Sequence, residues 1–521
     1  MRRRFWNASG AFVLVLPVGL VLGAAIARWL AENLYYRTTL FYHWAPTAAV
    51  ACLVAVLLAL FSLSLSRWRS HEGLAVADAV SFLPFFLPGF YLLQRRVDTV
   101  QATVLLAGSL ALVAALNVQR FAPRQWVHRA ALLAVFTLPL AAYLRTLAPT
   151  VGAHDTFEFQ VISYELGIAH PTGYPLYVLI GKLFTLIPLG SVAYRVNLSS
   201  ALFAAATIAV LYATITRLTG DRIASALASL TFAFSLSFWS QAVEAEVYAL
   251  NALFVSSICY LLLLSFRAAP SSSTDLRGTR ADRWTATLDT FRRNETLIII
   301  AAVVYGLSLT HHRTMLLLAP AVIAYFVLNR GWRLLTVRRT VLLSIAFLVP
   351  LVGIHLYIPV RWWQLHGQPM NWQQFTDLVL GTQFAAALQW DAVLRDAGRL
   401  TVYLRTVLEQ YPAPALLLAV GGIIYLLSRR ASPLNRAAWK EGLFLLLAFA
   451  AYAVFGLSYH VPDVALFLIP CYLVIAMALG IGTSALRRAL ERLLGRAGQA
   501  PPPLRRHLAA SATLTVVALL P

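Results

Sequence analysis

Apolar residues in this chain do not alternate with polar ones; they run. Stretches close to the ~20 residues that cross a bilayer core as a helix recur from one end of the 521 residues to the other. They are 11–30, 47–66, 75–93, 99–118, 127–147, 192–216, 223–240, 247–266, 296–310, 314–329, 340–359, 408–427, 441–458 and 463–484. No two-residue alternation competes with them, so the pattern predicts an all-α, polytopic integral membrane protein without a sheet. The stretch 174–190 is apolar but broken by Pro175 and Pro188, which predicts a re-entrant or interfacial segment. The first run, Ala11–Leu30, lacks a clear small-x-small cleavage site and reads as a retained span. The last, Leu508–Leu520, is too short for a crossing and reads as the start of a further, truncated span.

Composition agrees and charge orients the spans. Hydrophobic residues make up 60% of the chain and charged ones 12%, about half the share a soluble surface needs. The net charge of +21 would suit nucleic acid, but the basic residues sit in short loops between spans, the positive-inside pattern. Arg2–Arg4, Arg67/Arg69, Arg120/Arg124/Arg129, Arg217/Arg222, the loop Arg267–Arg293, Arg330/Arg333/Arg338/Arg339, Arg429/Arg430/Arg436/Lys440 and Arg487–Arg506 all fall on one side; Arg95 and Arg96 are the exception. The stretches 268–283 and 494–503 have linker composition. Cys52, Cys259 and Cys471 lie singly inside apolar runs, without metal-ligand spacing or a disulfide framework.

The opposite side carries the chemistry. Its long loops, 148–191 and 361–407, hold acids, histidines, tryptophans and prolines. Asp155 and Glu158, beside His154, are three apart and share a helix face. Paired carboxylates suit acid/base work, one ionised and one shifted; the plainer reading makes Asp155 a helix cap with Glu158 at the third position. His170-Pro-Thr-Gly-Tyr174-Pro predicts a rigid turn, with Lys182 beyond it to meet a phosphate or snorkel. Glu244, Glu246, Tyr248 and Asn251 crowd a short turn. At His311-His312-Arg313, adjacent histidines make a poor metal motif, while a fixed cation suits a phosphate or lipid headgroups. Arg361 emerges beside Trp362 and Trp363, ahead of Asn371-Trp372, and Tyr459-His460-Val-Pro-Asp463 forms a last turn. An aromatic belt accounts for the tryptophans by themselves, but six polar clusters on one side argue for a site.

Taken in order, these motifs resemble a known family. The pieces are His154-Asp155-x-x-Glu158, Tyr164-Glu-Leu-Gly-Ile-Ala-His-Pro-x-Gly-Tyr-Pro-Leu, Gly181-Lys-Leu-Phe with Ile187-Pro-Leu-Gly-Ser-Val-Ala-Tyr-Arg-Val-Asn197 after it, Glu244-Ala-Glu-Val-Tyr-Ala-Leu-Asn, Leu309-Thr-His-His-Arg-Thr, Leu356-Tyr-Ile-Pro-Val-Arg361, Asn371-Trp372 and Asp463-Val-Ala-Leu-Phe-Leu-Ile-Pro. They resemble the domain-of-unknown-function 2723 family, of the transmembrane protein 260 type of protein O-mannosyltransferase, within the GT-C superfamily. The family often has Gly-Asp-Ser-Gly-Glu where this chain has His-Asp-Thr-Phe-Glu, so only Asp155 and Glu158 carry over as catalytic residues. The resemblance implies a GT-C-like helical bundle at 127–484, after a four-span N-terminal module at 1–126 and before a basic cytoplasmic linker at 485–507 and the residues 508–521. It implies inverting transfer of a hexose such as mannose from a polyprenyl-phosphate donor to a hydroxyl of a protein or glycan acceptor on the extracytoplasmic side. Asp155 would be the base, Glu158 its partner, and His170, Lys182, His311, His312, Arg313 and Arg361 the donor-phosphate ligands. His154, Tyr174, Glu244, Glu246, Tyr248, Asn251, Tyr459 and Asp463 would serve the acceptor or the frame. No metal, nucleic acid or tightly bound cofactor is expected. A secondary transporter or lipid flippase is the alternative, and an inactive structural subunit a third; a transporter would place ionisable residues at mid-span, where only Asp78, near a span end, comes close.

Overall fold

The computed structural model describes residues 2–34, 38–68, 82–94, 97–121, 124–266, 280–331, 336–428 and 438–496. The described residues are helical, without a β-strand; their one isolated bridge pairs Leu388 with Tyr459. Two compact units emerge. One comprises residues Met1–Ala130 with Ala485–Pro521, the other Ala131–Ser484.

In the first unit, α1 (Arg2–Asn33) and α2 (Trp44–Trp68) precede α3 (Gly89–Leu93) and α4 (Thr99–Phe121). Helices α1 and α2 meet through small residues. A Cβ on Gly19 would lie 2.4 Å from Ala55 Cα, and one on Gly23 2.6 Å from Ala51 Cα. This is the small-xxx-small contact by which helices approach closely in lipid, where apolar burial supplies little drive. Val15, Val18, Leu22, Phe82, Phe85 and Val113 fill the core beside it. Asp78, Arg95, Arg96, the spans expected to start at 75 and 508, and the linker 494–503 lie wholly or partly outside the described residues.

The second unit holds the long outer loops. It continues α5 (Arg124–Thr146) into two short helices, α6 (His154–Glu165) and α7 (Pro175–Thr185), and then into α8 (Val192–Thr219). Next come α9 (Arg222–Ala233), α10 (Leu236–Ala242), α11 (Tyr248–Phe266), α12 (Arg280–Leu309) and, after a 3-10 turn at Arg313–Leu318, α13 (Ala319–Arg330). The rest is α14 (Val337–His355), α15 (Tyr357–His366), α16 (Trp372–Leu380), α17 (Ala392–Arg395), α18 (Gly398–Gln410), α19 (Ala413–Leu427), α20 (Ala438–Ser458), α21 (Val464–Phe467) and α22 (Ile469–Arg496).

Among the described residues eight helical stretches are long and apolar enough to cross a membrane, and two bent pairs raise the number to ten. The difference from the sequence pattern has particular causes. The apolar run 223–240 bends by 70° between α9 and α10, and the run 408–427 belongs to a pair, α18 and α19, that turns by 99°. At the second break stands Pro412, which cannot donate into a continuing helix. The runs 296–310 and 314–329 form shorter apolar helices. Helix α7, with 11 residues, is about half a crossing, in keeping with the segment expected to be re-entrant or interfacial.

Candidate functional site

Helix α6 builds the site from its N-terminal end. Its N-cap is Ala153, whose side chain offers no capping bond, and His154 opens the helix at a φ of 51°. Asp155 is therefore not the cap that a bare Asp-x-x-Glu suggests. It lies in the first turn, its side chain 60% exposed, where the helix dipole favours a negative charge. Three residues on, Glu158 faces the same way. Its Oε1 accepts the His170 backbone N–H at 2.8 Å, and its Oε2 lies 2.5 Å from His170 Nδ1. The other ring nitrogen of His170, Nε2, stands 3.8 Å from Asp155 Oδ2. One imidazole thus bridges both carboxylates.

The charge states follow. Burial by itself would raise the Glu158 pKa, but the hydrogen bonds and charge of His170 outweigh it and hold the carboxyl below its ordinary value. Burial would lower His170; the bond to Glu158 and the charges of Glu158, Asp155 and Glu246 push it up instead. His170 is accordingly an imidazolium at mildly acid pH, with Nδ1–H donating to Glu158 and Nε2–H on the side of Asp155.

The opposite face of α6 is buried and tied down. Thr156 Oγ1 lies 2.9 Å from Glu246 Oε1 and 3.4 Å from Glu244 Oε2. Gln160 accepts from the Gly152 N–H and donates to Asn197 Oδ1, whose own amide donates to the Ala148 carbonyl. Phe159 packs against the rings of His170, Tyr174 and Tyr177 at 4.9–5.7 Å. Glu246 is walled in: burial, opposed by the Thr156 hydrogen bond and reinforced by Asp155, Glu244 and Asp463, pushes its pKa up to about 7.

Behind α6 the His-Pro-Thr-Gly-Tyr-Pro turn needs its glycine. Gly173 has a φ of +79°, and a Cβ there would stand 3.0 Å from Ile358 Cδ1 on α15 and 3.6 Å from Leu378 Cδ2 on α16. Tyr174 is buried, its ring 5.2 Å from His170 and 5.9 Å from His312. Two neutral histidines close the wall. His311 donates from Nε2 to the Val247 carbonyl at 2.8 Å, and burial, against that bond, drops its pKa to about 4. His312 Nδ1 accepts from the Thr314 hydroxyl at 2.6 Å; burial, then the charges of His311, Arg313 and His170, take it to about 3. Arg313 donates to the carbonyls of Leu380 and Gly381 and bonds Tyr459. Tyr248 bonds Asp463, which burial raises above the usual carboxylate value.

Most of the expected residues therefore meet: Asp155, Glu158, His170, Tyr174, Glu244, Glu246, Tyr248, His311, His312, Arg313, Tyr459 and Asp463 form one connected wall. Four do not join it. His154 is exposed. Asn251 is buried in α11 with its Oδ1 unpartnered. Lys182 and Arg361, expected on a phosphate, reach the other end of α6. Lys182 donates to the Tyr164 carbonyl at 2.5 Å, and Arg361 to those of Glu165 at 2.8 Å and Leu166 at 2.6 Å. Tyr357 adds a bond to Gly167 O at 2.8 Å. The last carbonyls of a helix lack intrahelical partners and attract cations, which is why these two side chains settle there. Thr156, Gln160, Asn197 and Tyr357 carry no role legible in the sequence, although Asn197 and Tyr357 fall inside the family-like motifs, being ordinary polar residues whose partners lie 8 to 190 positions away.

Two further features bear on ligands. Among the described residues Asp155, Glu158 and His170 could hold a metal ion, offering three ligand atoms within 4.8 Å of one another. An apolar groove of about 660 Å³ runs between Leu351, Val352, Leu356 and Pro359 on one side and Met370, Trp372, Phe375 and Val379 on the other. Helix α16 is common to groove and turn, with Phe375 and Val379 in the groove and Leu378 against Gly173.

Comparison with known proteins comes to the same stretch of chain. The model of the protein O-mannosyl-transferase TMEM260 N-terminal domain matches residues 155–335. The mouse protein O-mannosyl-transferase TMEM260 is 33% identical over 229 residues, 44% of this chain and 30% of the mouse protein. The Dictyostelium discoideum protein of that name is 30% identical over 122 residues, 23% of this chain and 15% of its own. The aligned part thus spans less than a third of either relative. Among solved structures, ArnT from Cupriavidus metallidurans bound to undecaprenyl phosphate aligns at 14% identity and a TM-score of 0.46, over 76% of this chain and 77% of that one. Archaeal oligosaccharyltransferase AglB from Archaeoglobus fulgidus, in complex with an inhibitory peptide and a dolichol-phosphate, aligns at 12% and 0.43, over 74% and 56%. The motifs that resemble the family in sequence fall largely where the family model matches.

Proposed function

We propose that this chain is a membrane glycosyltransferase that moves a hexose from a polyprenyl-phosphate donor to an acceptor hydroxyl, with inversion, and that Asp155 is its base. The observation that carries the reading is the Asp155–His170–Glu158 arrangement. An exposed carboxylate stands at a helix tip, beside an imidazole that a second, half-buried carboxylate holds in place. The match of residues 155–335 to a domain named for protein O-mannosyl-transferases supports it, as do the two relatives of that name.

In the proposed step Asp155 takes the proton of the acceptor hydroxyl. The freed oxygen attacks the anomeric carbon from the face opposite the phosphate. The carbon–oxygen bond to the phosphate breaks, its electron pair stays with the phosphate, and polyprenyl phosphate leaves. His170, fixed by Glu158, stands 3.8 Å from Asp155 and orients its carboxylate. Arg313 and the Nε2 of His312 are the polar groups of this wall that suit the departing phosphate; His311, its Nε2–H engaged by Val247, acts through packing. The apolar groove along α16 suits the prenyl chain. By the sidedness of its basic loops the reaction faces the extracytoplasmic side, where a protein hydroxyl would be the acceptor.

The test is transfer of labelled sugar from a panel of polyprenyl-phosphate sugars to hydroxyl acceptors by the purified chain. Asp155→Asn should cut the rate by about 10²–10⁴-fold, the usual worth of a positioned base, while donor binding persists. Equal rates from wild type and variant would remove Asp155 from the chemistry. Absence of transfer from every donor would return the transporter reading to the front.

A further inference from the structure

The two bent helix pairs meet away from the acid–histidine wall. Ser237, at the start of α10, donates its backbone N–H to Gln410 Oε1, at the end of α18, at 2.8 Å. A cleft of about 420 Å³ opens around this contact, lined by Trp239, Phe234 and Leu236 together with Ser235, Ser240, Glu409 and Gln410. That volume lies within the range of about 300–1,000 Å³ typical of small-ligand sites.

The cleft is furnished, not merely open. Trp239 donates its Nε1–H to Thr146 Oγ1 at 2.9 Å and packs against Tyr143 at 6.2 Å and Phe234 at 5.2 Å, so its indole is held on two sides. Ser235 and Ser240 donate their hydroxyls to the carbonyls of Phe232 and Ser237, and Ser240 Oγ accepts from the Gln241 amide at 3.3 Å, so each hydroxyl keeps at least one lone pair as an acceptor. Gln410 is 7% exposed; its Oε1 is engaged by Ser237, while its Nε2 donates to no described residue. Glu409, half-exposed, pairs with Arg405 at 3.4 Å in an exposed contact that holds it weakly, and its charge also acts on Tyr472.

This set of groups selects a ligand class. None of the lining residues is basic, and a carboxylate lies among them, so a phosphate or other anion is disfavoured. A simple ammonium would suit Glu409 and the rings but would offer no acceptor to the Gln410 amide nitrogen, whose Oε1 is already engaged by Ser237. A ring bearing neighbouring hydroxyls answers every group: donors toward Glu409 and the serines, an acceptor for Gln410 Nε2, and an apolar face for the indole. We propose that this cleft is a saccharide subsite. Helix α10 connects it to the wall, for its seven residues, about 10 Å of helix, lead into the turn whose Glu244 and Glu246 meet Thr156 beside Asp155. A sugar here lies one helix from the base, the place for a sugar already present on the acceptor. That use in transfer rests on the glycosyltransferase reading; the binding of a saccharide does not.

Saturation-transfer NMR of the full chain in phosphatidylcholine nanodiscs tests it directly, with methyl α-mannopyranoside and methyl α-glucopyranoside as probes. Wild type and Asp155→Asn should bind alike, while Glu409→Ala, at an exposed position, should weaken binding by about tenfold or more. Ser240→Val, which narrows the cleft from its surface, should do the same. Binding that survives both cleft variants, or is lost in Asp155→Asn alone, would place the sugar elsewhere and overturn the proposal, as would no binding of either glycoside. Repeating the measurement with phosphatidylinositol in the bilayer separates the sources. Competition identifies a lipid head group as the ring, and its absence a glycan of the acceptor. A chain that binds glycosides through Glu409 yet transfers no sugar would refute the glycosyltransferase reading and leave the subsite standing.

Discussion

Glu246 shows how the fold treats its acids differently. Asp155 and Glu158, one turn apart, meet a cation; Glu246 meets a hydroxyl, Thr156. Burial and three neighbouring acids leave its pKa at about 7, against an ordinary 4.5. The sign of the consequence is fixed by linkage. A carboxyl whose pKa is raised by folding binds its proton more tightly in the native state, so its contribution is full below pH 4.5 and is lost as pH rises to about 7. The Glu158–His170 pair behaves otherwise. Glu158, lowered, contributes above its ordinary pKa of 4.5 and loses that as pH falls through its native value; His170, raised, contributes below 6.5 and loses that as pH rises through its own. The pair is therefore fully effective between about 4.5 and 6.5. Glu246→Gln, which keeps an oxygen for Thr156, should flatten the fall in stability between pH 4.5 and 7 and leave the variant more stable than wild type above it. Thermal unfolding in nanodiscs at stepped pH measures this, and parallel curves for the two proteins would show that Glu246 does not titrate there.

At the scale of elements, α6 is gripped at both ends, and only one grip was legible in the sequence. The Asp-x-x-Glu spacing announced a shared face and the proline-rich turn announced its rigid neighbour, because both signals are local. The clamp on the C-terminal carbonyls was not legible. Arg361 lies 195 and 196 positions from Leu166 and Glu165, and an arginine beside two tryptophans at a span end reads equally as a phosphate ligand or a headgroup contact. The breaks in 223–240 and 408–427 were hidden for a related reason: mean hydropathy is unchanged by a bend, and of the two only Pro412 leaves a local mark. Hydrogen bonds to charged groups contribute roughly 1.5–3 kcal/mol, so Arg361→Ala should loosen the last turn of α6 by about that much. Hydrogen exchange should show faster amides at 162–167, with protection at 155–159 falling less because the Thr156 and Gln160 bonds persist. Lys182→Met, which keeps the apolar stem over Tyr164 and removes the charge, should produce a milder version of the same change. Unaltered exchange in both variants would mean that α6 does not depend on the clamp.

For the whole molecule the argument is about sides. Helices α8 and α11 begin beside the acid–histidine wall and α12 ends there, as the bonds of Asn197, Val247 and Thr310 to neighbouring loops show. Helix α8, with 28 residues, is about 42 Å long, enough to carry Arg217 and Arg222 to the opposite face of a bilayer. The span Val337–His366 repeats the arrangement in reverse. Arg338 and Arg339 stand at its start, where Arg339 pairs with Glu295 at 2.9 Å. Arg361, near its end, holds α6. All the acids of the wall, with Arg361, are thus at one end of the second unit and Arg217, Arg222, Arg338 and Arg339 at the other, the end that the positive-inside rule would assign to the cytoplasm. The prediction is a labelling pattern. Cys259 and Cys471 are buried and should not react, so Cys52→Ser supplies a quiet background. In it, Gln373→Cys, exposed beyond His366, should react with a membrane-impermeant maleimide in intact cells. Arg338→Cys should react only once the membrane is opened. The reverse pattern would turn the wall toward the cytoplasm, and with it would fall the extracytoplasmic acceptor, since the carboxylate and the hydroxyl it deprotonates must share one aqueous face.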